Sequence, residues 1–585
     1  MTLSGPESGG LSRSASEHIN EAESVELYRR TYMTLLQSRG EMKLKVLEAS
    51  HKAMASSLHS LAASAEPDLG AFLYAIRRLP KAILGAKRVI MGQLIDVFVK
   101  NGYSSIAKWK ERSAPGRRRR WYDDERGTLA VLVASASDVD DLIPSLVAFQ
   151  IEWNKLHKLL IDHAEELDSP KLGADVYAGL CGGSQDDWEQ LQEVWGESFS
   201  EHIHDIQHHE VSLRIQMLGG TQVGYARVTR RWWQQVTGLM RSENLQDRPL
   251  YFVSSNTHSI ANLVTGIAQL NATEIVDHVR SNGPDYLIDE LEKFEKGNAE
   301  GTWENLLYYM ASLYFREMDS TGDRHTSNLH RLERERGVIS VTSRTALDVS
   351  AQIIPLDRLN PQWFDMRLSD VDPAVIKDSR AIIVNIDYPL GFAAYNILRE
   401  IAETTPDLRG IYILGKAATL NANVGDIMLS NVVHDEHSQS TYWLDNVFEY
   451  ADIAPYLRFG SCLDNQRAVT VYGTFLQNRG YLDFYHRESY TAVEMESGPY
   501  CSALYEMIEA DRYPIGQPVN FSKLPIDFGI IHYASDTPFT QARTLGARGL
   551  SYYGMDSTYA SSVAIMRRIF SQESRHLKEE LGILS

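Results

Sequence analysis

The pattern of apolar and polar positions changes near residue 337. Before it, apolar residues recur at helical spacing over long stretches; after it, short apolar runs alternate with turns and amphipathic segments. In residues 26–61, Leu44, Leu47, Met54, Leu58 and Leu61 fall on one face of a helix. Residues 71–99 predict a second helical region, interrupted near Pro80. Residues 128–134 predict a strand, and Asp138 starts a long helix with Leu142, Leu146, Phe149 and Trp153 on one face. A further strand is predicted at 249–254. The turn after it, Ser255-Asn256-Thr257-His258-Ser259, either caps the next helix or offers backbone N–H groups to a ligand. A helix over 303–318 and a polar connection over 319–336 end this half.

Beyond it, strands are predicted at 338–342, 349–354, 381–386, 410–414, 426–433, 468–473, 490–493 and 528–534, and helices at 392–403, 500–510 and 552–570. This alternation predicts a wound α/β domain with a mixed sheet. The expected organisation is a disordered tail over 1–25, a mainly helical N-terminal half over 26–335 with some α/β elements, and an α/β domain over 336–585.

A length of 585 residues agrees with two to four domains. The net charge of -19 argues against a general nucleic-acid binder, which needs a basic surface, but leaves room for a local basic pocket. Cys181, Cys462 and Cys501 are sparse and far apart, as expected in a reducing compartment. No run approaches the ~18 apolar residues of a membrane span. The first residues are rich in Ser, Gly and Glu and have no apolar core of a signal peptide. A cytoplasmic location without membrane partners is the expectation.

Three charged stretches carry candidate chemistry. Residues 113–126 contain Pro115-Gly116 and then Arg117 to Arg120, followed by Trp121-Tyr122-Asp123-Asp124-Glu125. They read as an anion site or, more simply, as a solvated loop that neutralises itself. His204 and His208 share a helical face, but no third ligand or zincin glutamate stands at the expected spacing. In His434-Asp435-Glu436-His437 an extended strand would turn the ligands to opposite sides. No metal site is expected from either. The glycines of 179–183 lack the Lys-Ser/Thr of a phosphate loop.

The strongest motif is Ala492-Val493-Glu494-Met495-Glu496-Ser497-Gly498, a β-prone approach, an acidic turn and then a helix-like stretch. A carboxylate there either favours the helix start or sits at a sheet edge, where it can accept hydrogen bonds from vicinal hydroxyls. This segment resembles the ribose-binding segment of the nucleoside phosphorylase/nucleosidase superfamily. Ile530-Ile531-His532-Tyr533-Ala534-Ser535-Asp536 resembles its second hallmark. Tyr412-Ile413-Leu414-Gly415-Lys416-Ala417-Ala418, with Val424 to Leu429, resembles its glycine loop and following strand. Met-Glu-Ser-Gly, Ser-Asp-x-Pro and the long N-terminal extension are most like the AMP nucleosidases.

The resemblance implies a three-layer α/β sandwich around a central mixed sheet, a homo-oligomer, and no metal or other cofactor. The substrate it implies is a purine nucleoside or nucleotide, with phosphate as a second small molecule if cleavage is phosphorolytic. Asp536, with Ser535 before it, would serve the purine as general acid. Glu496 would hold the ribose hydroxyls, with Met495 against the sugar. Phe475, with Leu476 beside it, would stack on the base, although alone it reads as a core residue. Gly415 and Lys416 belong to the loop that faces the substrate.

Two phosphate-gripping arginines of the phosphorylases are missing. Gly391 and Ile413 stand at those positions, and Lys416 replaces a Ser or Thr. Losing two bidentate anion ligands favours water as nucleophile. Asp387 or Glu494 would orient it. Arg543 or a neighbouring subunit offers an alternative source of phosphate ligands. A third class of reading is a catalytically silent nucleotide-binding or assembly protein.

Overall fold

The computed structural model describes residues 15–38, 40–166, 172–320, 328–509, 515–521, 524–538 and 552–582. Its strands form two sheets, of six and eleven strands. The smaller contains β1 (Met42–Lys43), β2 (Arg88–Gly92), β3 (Lys110–Ala114), β4 (Arg117–Asp123), β5 (Thr128–Leu132) and β6 (Arg214–Met217), in the order β1-β6-β2-β5-β4-β3. β2 runs parallel to β5 and β6, while β3 and β4 form an antiparallel hairpin at the edge. Helices Leu69–Arg78 and Ala136–Asp162 join this sheet in one core, which includes Phe72, Trp121, Leu142, Phe149 and Trp153.

The larger sheet contains β7 (Leu250–Ser255), β8 (Ile339–Val341), β9 (Ala351–Pro355), β10 (Ile382–Asp387), β11 (Leu408–Thr419), β12 (Ile427–Asp435), β13 (Ser440–Leu444), β14 (Cys462–Thr470), β15 (Ala492–Glu494), β16 (Pro518–Phe521) and β17 (Asp527–Asp536). Its order is β16-β13-β12-β14-β15-β11-β7-β10-β9-β8, and β17 pairs with both β11 and β12. Strands β11, β17, β12, β14 and β15 thereby pair round in a ring. Both parallel and antiparallel pairs occur, so the sheet is mixed.

Alternate residues of the central strands enter different cores, as a pleated strand requires. Phe252, Ile382, Val384 and Ile411 pack with helices Gln222–Ser242, Ala393–Thr404 and Ser497–Ile508 through Trp232, Ile397 and Leu504. Tyr251, Val253, Ile383 and Tyr412 pack with Trp303–Ser320 and Tyr552–Glu580 through Leu307, Tyr559 and Val563. Helices on both faces explain why these strands read as nearly continuous apolar runs.

The structure revises several sequence expectations. Helix Ala15–Gln37 begins inside the expected tail of 1–25, whose residues 1–14 lie outside the described residues. The single helical region expected over 26–61 breaks near Gly40, where Met42–Lys43 pairs with β6. In 71–99 the helix ends at Arg78, and β-branched Val89 and Ile90 insert between β5 and β6. Within the connection expected at 319–336, residues 328–335 are helical. Strand β7, assigned by position to the N-terminal half, lies between β10 and β11 of the larger sheet. A boundary at 336 therefore cuts through a paired sheet.

The two sheet units meet closely. Asn478 donates to the Met54 carbonyl at 2.8 Å, and the Ser57 N–H donates to Gln477 at 2.8 Å. Among the described residues no helix is long and apolar enough to cross a membrane.

Candidate active site

β15 delivers Glu494 to the end of its strand, and helix Ser497–Ile508 starts three residues later. The turn leaves backbone N–H groups without helical partners. Glu494 satisfies two of them, accepting from the Glu496 and Ser497 N–H groups, each at 2.7 Å. Thr470 donates to its other oxygen, and the Gly498 N–H donates to that threonine hydroxyl at 2.8 Å. Glu494 is buried, which raises its pKa; these hydrogen bonds oppose the rise. Behind it, the ring of His532 bridges the hydroxyls of Ser430 and Ser497, at 3.0 Å to each. Burial lowers the His532 pKa to about 4, so the ring is neutral near pH 7.

Glu496 is half-buried and accepts from the Gly391 N–H at 2.9 Å. Burial, then repulsion from Glu494, raises its pKa to about 8, against the opposing effects of the Gly391 N–H and Arg117. Its carboxyl is therefore mostly protonated at neutral pH. It is able to donate to one hydroxyl while accepting from another.

Gly391 sits at φ +52°, and a Cβ there would collide with the Ser137 hydroxyl. That hydroxyl accepts from the Phe392 N–H at 2.8 Å. An arginine at 391 is thus excluded by both backbone conformation and space.

Glu494 and Glu496 line one cavity of about 470 Å³. Its C-terminal wall holds Lys416, Glu494, Met495, Glu496, Ser535 and Asp536. Asp536 is the last residue of β17 and is buried; the Ser535 hydroxyl donates to the Ala417 carbonyl at 3.3 Å. Gly415 precedes Lys416 on β11, opposite His532, but does not itself line the cavity.

The opposite wall comes from the smaller sheet unit and includes Tyr74, Arg78 and Arg117 to Arg119. The arginine run therefore does not form a solvated loop. Its residues lie in β4, where Arg117, Arg118 and Arg119 pair with acids distant in sequence and Arg120 donates to the Ser343 carbonyl at 2.6 Å. Arg117 forms a two-pronged pair with Asp141 at 2.9 and 3.1 Å. Arg119 reaches Asp138 at 2.9 Å and Asp141 at 2.7 Å. These cations hold the Asp141 carboxyl well below the usual range. Arg118 pairs with Asp387 and donates to the Tyr388 carbonyl at 2.5 Å, tying the hairpin to the loop after β10.

Asp387 is engaged in that ion pair and also accepts from the Tyr388 N–H at 3.0 Å. Burial raises its pKa against the pull of Arg118. The structure does not bring Phe475 or Leu476 to this cavity. Phe475 is buried against Tyr74, at 5.1 Å between ring centroids, and Tyr74 stands at the wall. Leu476 lines a separate cavity, alongside Tyr472 and Tyr485. Arg543 lies outside the described residues. Among the described residues no group of three or more His, Cys, Asp or Glu side chains is arranged to hold a metal ion.

A family model matches residues 44–571, and the chain belongs to that family, the family of unknown function DUF6909. No curated protein matches the sequence. Among solved structures, the chain is similar to a uridine phosphorylase from Schistosoma mansoni in complex with thymidine, at 10% identity and TM-score 0.30, over 57% of this chain and 91% of that one. It is also similar to a 5'-methylthioadenosine/S-adenosylhomocysteine nucleosidase from Neisseria meningitidis in complex with methylthio-immucillin-A. That match has 15% identity and TM-score 0.26, over 40% of this chain and 93% of that one.

Two outcomes follow from the geometry. Replacing Gly391 with Arg forces an unfavourable φ and a clash with Ser137, and should cost about 1–3 kcal/mol or more of stability, measured by denaturant melts. Wild-type stability in that variant would contradict the packing described. Glu496 holds a proton to about pH 8 when folded, whereas an exposed Glu releases it near pH 4.3. Its contribution to stability is complete below the unfolded pKa and is lost as pH rises through about 8. The melting temperature of Glu496→Gln minus that of wild type should therefore grow from pH 5 to 8 and then level off. A pH-independent difference would show that Glu496 ionises normally.

Proposed function

We propose that this protein cleaves the N-glycosidic bond of a purine nucleoside or nucleotide such as AMP and releases the free base. The observation that carries this reading is the meeting of Glu494, Met495, Glu496, Ser535 and Asp536 around one cavity. These residues come from two segments far apart in sequence, and both carry motifs that resemble the nucleosidases. Glu496 holds the ribose hydroxyls, and Met495 packs against the sugar. Asp536 protonates the purine as it leaves. Cleavage makes the sugar cationic and the base anionic, so a proton donor near the base lowers the barrier.

In the leading form of this reading water is the nucleophile, oriented by Glu494 or Asp387, and no cofactor takes part. In the second form phosphate is the nucleophile. Arg78 and Arg117 on the opposite wall favour that form, since they supply guanidinium groups absent from positions 391 and 413. We further propose a cytoplasmic homo-oligomer whose residues 336–585 carry most of the catalytic groups.

Incubation with AMP, adenosine and inosine, with and without phosphate, separates the forms. Base released without phosphate supports hydrolysis, and base released only with phosphate supports phosphorolysis. A melting shift with ligand but no base indicates a silent nucleotide binder. Asp536→Asn should lower kcat by ~100- to 10,000-fold with little change in KM, because Asn cannot transfer a proton. Turnover near wild type in that variant would remove Asp536 as the acid. Light scattering at micromolar concentration tests the assembly, and a monomer would refute it.

A further inference from the structure

The guanidinium of Arg78 is buried at the cavity wall without an ionic partner. The residue is 5% exposed and stands at the C-terminal end of helix Leu69–Arg78. One nitrogen, Nη1, donates to the Tyr74 carbonyl at 3.2 Å, and the guanidinium carbon lies 3.3 Å from the Tyr74 ring centroid. Nε has no hydrogen-bond partner, and neither does the buried Tyr74 hydroxyl. Among the described residues no carboxylate stands within ion-pair distance of Arg78.

The neighbouring cations are matched differently. Arg117, Arg118 and Arg119 pair with Asp141, Asp387 and Asp138. Asp141 acts on Arg78 through space, but Arg117 and Arg119 already share it. Arg117 and Arg119 themselves repel Arg78. A helix C-terminus and a tyrosine face offer only partial negative charge. A buried guanidinium left so incompletely compensated is costly, and an anion in the cavity would remove that cost.

We propose that this wall is a phosphate site, in which Arg78, assisted by Arg117 and the Tyr74 hydroxyl, binds a phosphate dianion. The phosphate is either free orthophosphate or the phosphoryl group of a nucleotide. The fork of an arginine matches two phosphate oxygens, and the tyrosine hydroxyl supplies a further donor. Lys416, exposed on the facing wall, adds positive charge to the same cavity. The association of this phosphate with a glycosidic substrate rests on the proposed function above; the unmatched charge of Arg78 does not. The site joins the two sheet units, because its cations come from one and Lys416 from the other.

The test is thermal melting and calorimetric titration of the full chain with orthophosphate, AMP and adenosine at matched ionic strength, with sodium chloride as the control. Wild type, Arg78→Met and Arg78→Lys are compared. Stabilisation by orthophosphate alone identifies the free anion. Stabilisation by AMP well beyond adenosine, with orthophosphate inert, identifies the phosphoryl group of a nucleotide. In either case Arg78→Met should weaken the phosphate-dependent binding by ~10-fold or more. Arg78→Lys, which keeps the charge but loses the fork, should fall between, and it carries the test if the Met variant does not fold. Without phosphate, Arg78→Met should melt no lower than wild type, since it removes an uncompensated buried charge. Phosphate and AMP binding unaffected by both substitutions would overturn the proposal. So would a wild type that binds neither orthophosphate nor AMP more tightly than adenosine. Absence of base release from every sample would refute the glycosidic reading alone and leave the phosphate-dependent shifts standing.

Discussion

The structure depends on the buried pairing of Asp138 and Asp141 with Arg117 and Arg119. Both acids lie in the first turns of helix Ala136–Asp162, and both arginines lie on β4, the strand next to the edge of the smaller sheet. Removing one partner of a buried ion pair strands the other charge, at a typical cost of about 3–5 kcal/mol. Asp138 has a second duty: its carboxylate also accepts from the Ala134 and Ser135 N–H groups and so closes the helix start. The same turn carries Ser137, which fixes the loop at Gly391 and Phe392. One cluster of charges thus sets the hairpin, the helix start and the loop that contacts Glu496. Without it the cavity would lose its N-terminal wall.

What was legible in the sequence was local. The Glu494-to-Ser497 turn and the end of β17 at Asp536 are strand endings, marked by apolar runs that stop at acidic residues. Their positions follow from pattern without knowledge of distant partners. The arginine run is conspicuous in the sequence, but the adjacent Asp123, Asp124 and Glu125 are not its counter-charges. Two of the acids that anchor it stand on a helix that begins beyond the next strand, and a third, Asp387, is far along the chain. Phe475 failed as an expected cavity residue for a related reason. A ring after a strand can stack on a ligand or on a core, and here Tyr74 of a remote helix takes the contact. Arg78 gave no sequence signal, since a basic residue at a helix end is ordinary. Its meaning comes only from the absence of an ionic partner.

The two sheet units therefore have unequal parts in the candidate site. The larger supplies carboxylates from a ring of strands and the turn after one of them, with Glu494 held by backbone N–H groups and the Thr470 hydroxyl and Glu496 by the Gly391 N–H. The smaller supplies cations on a hairpin. A cavity with acids on one side and guanidiniums on the other suits a ligand that carries hydroxyls at one end and an anion at the other. It also accounts for an acidic protein presenting a basic wall.

The position of β7 bears on how the chain is synthesised and assembled. This strand leaves the ribosome long before β10 and β11, the two strands between which it finally lies in parallel. Until both have been made, its apolar residues and both of its hydrogen-bonding edges lack their native partners. Such non-local parallel pairing is slow and exposes surfaces that aggregate. A fragment beginning at 336 would have the opposite fault, a missing strand in the middle of its sheet. Splitting or truncating the chain at the border suggested by its composition would therefore yield two pieces with open edges rather than two domains.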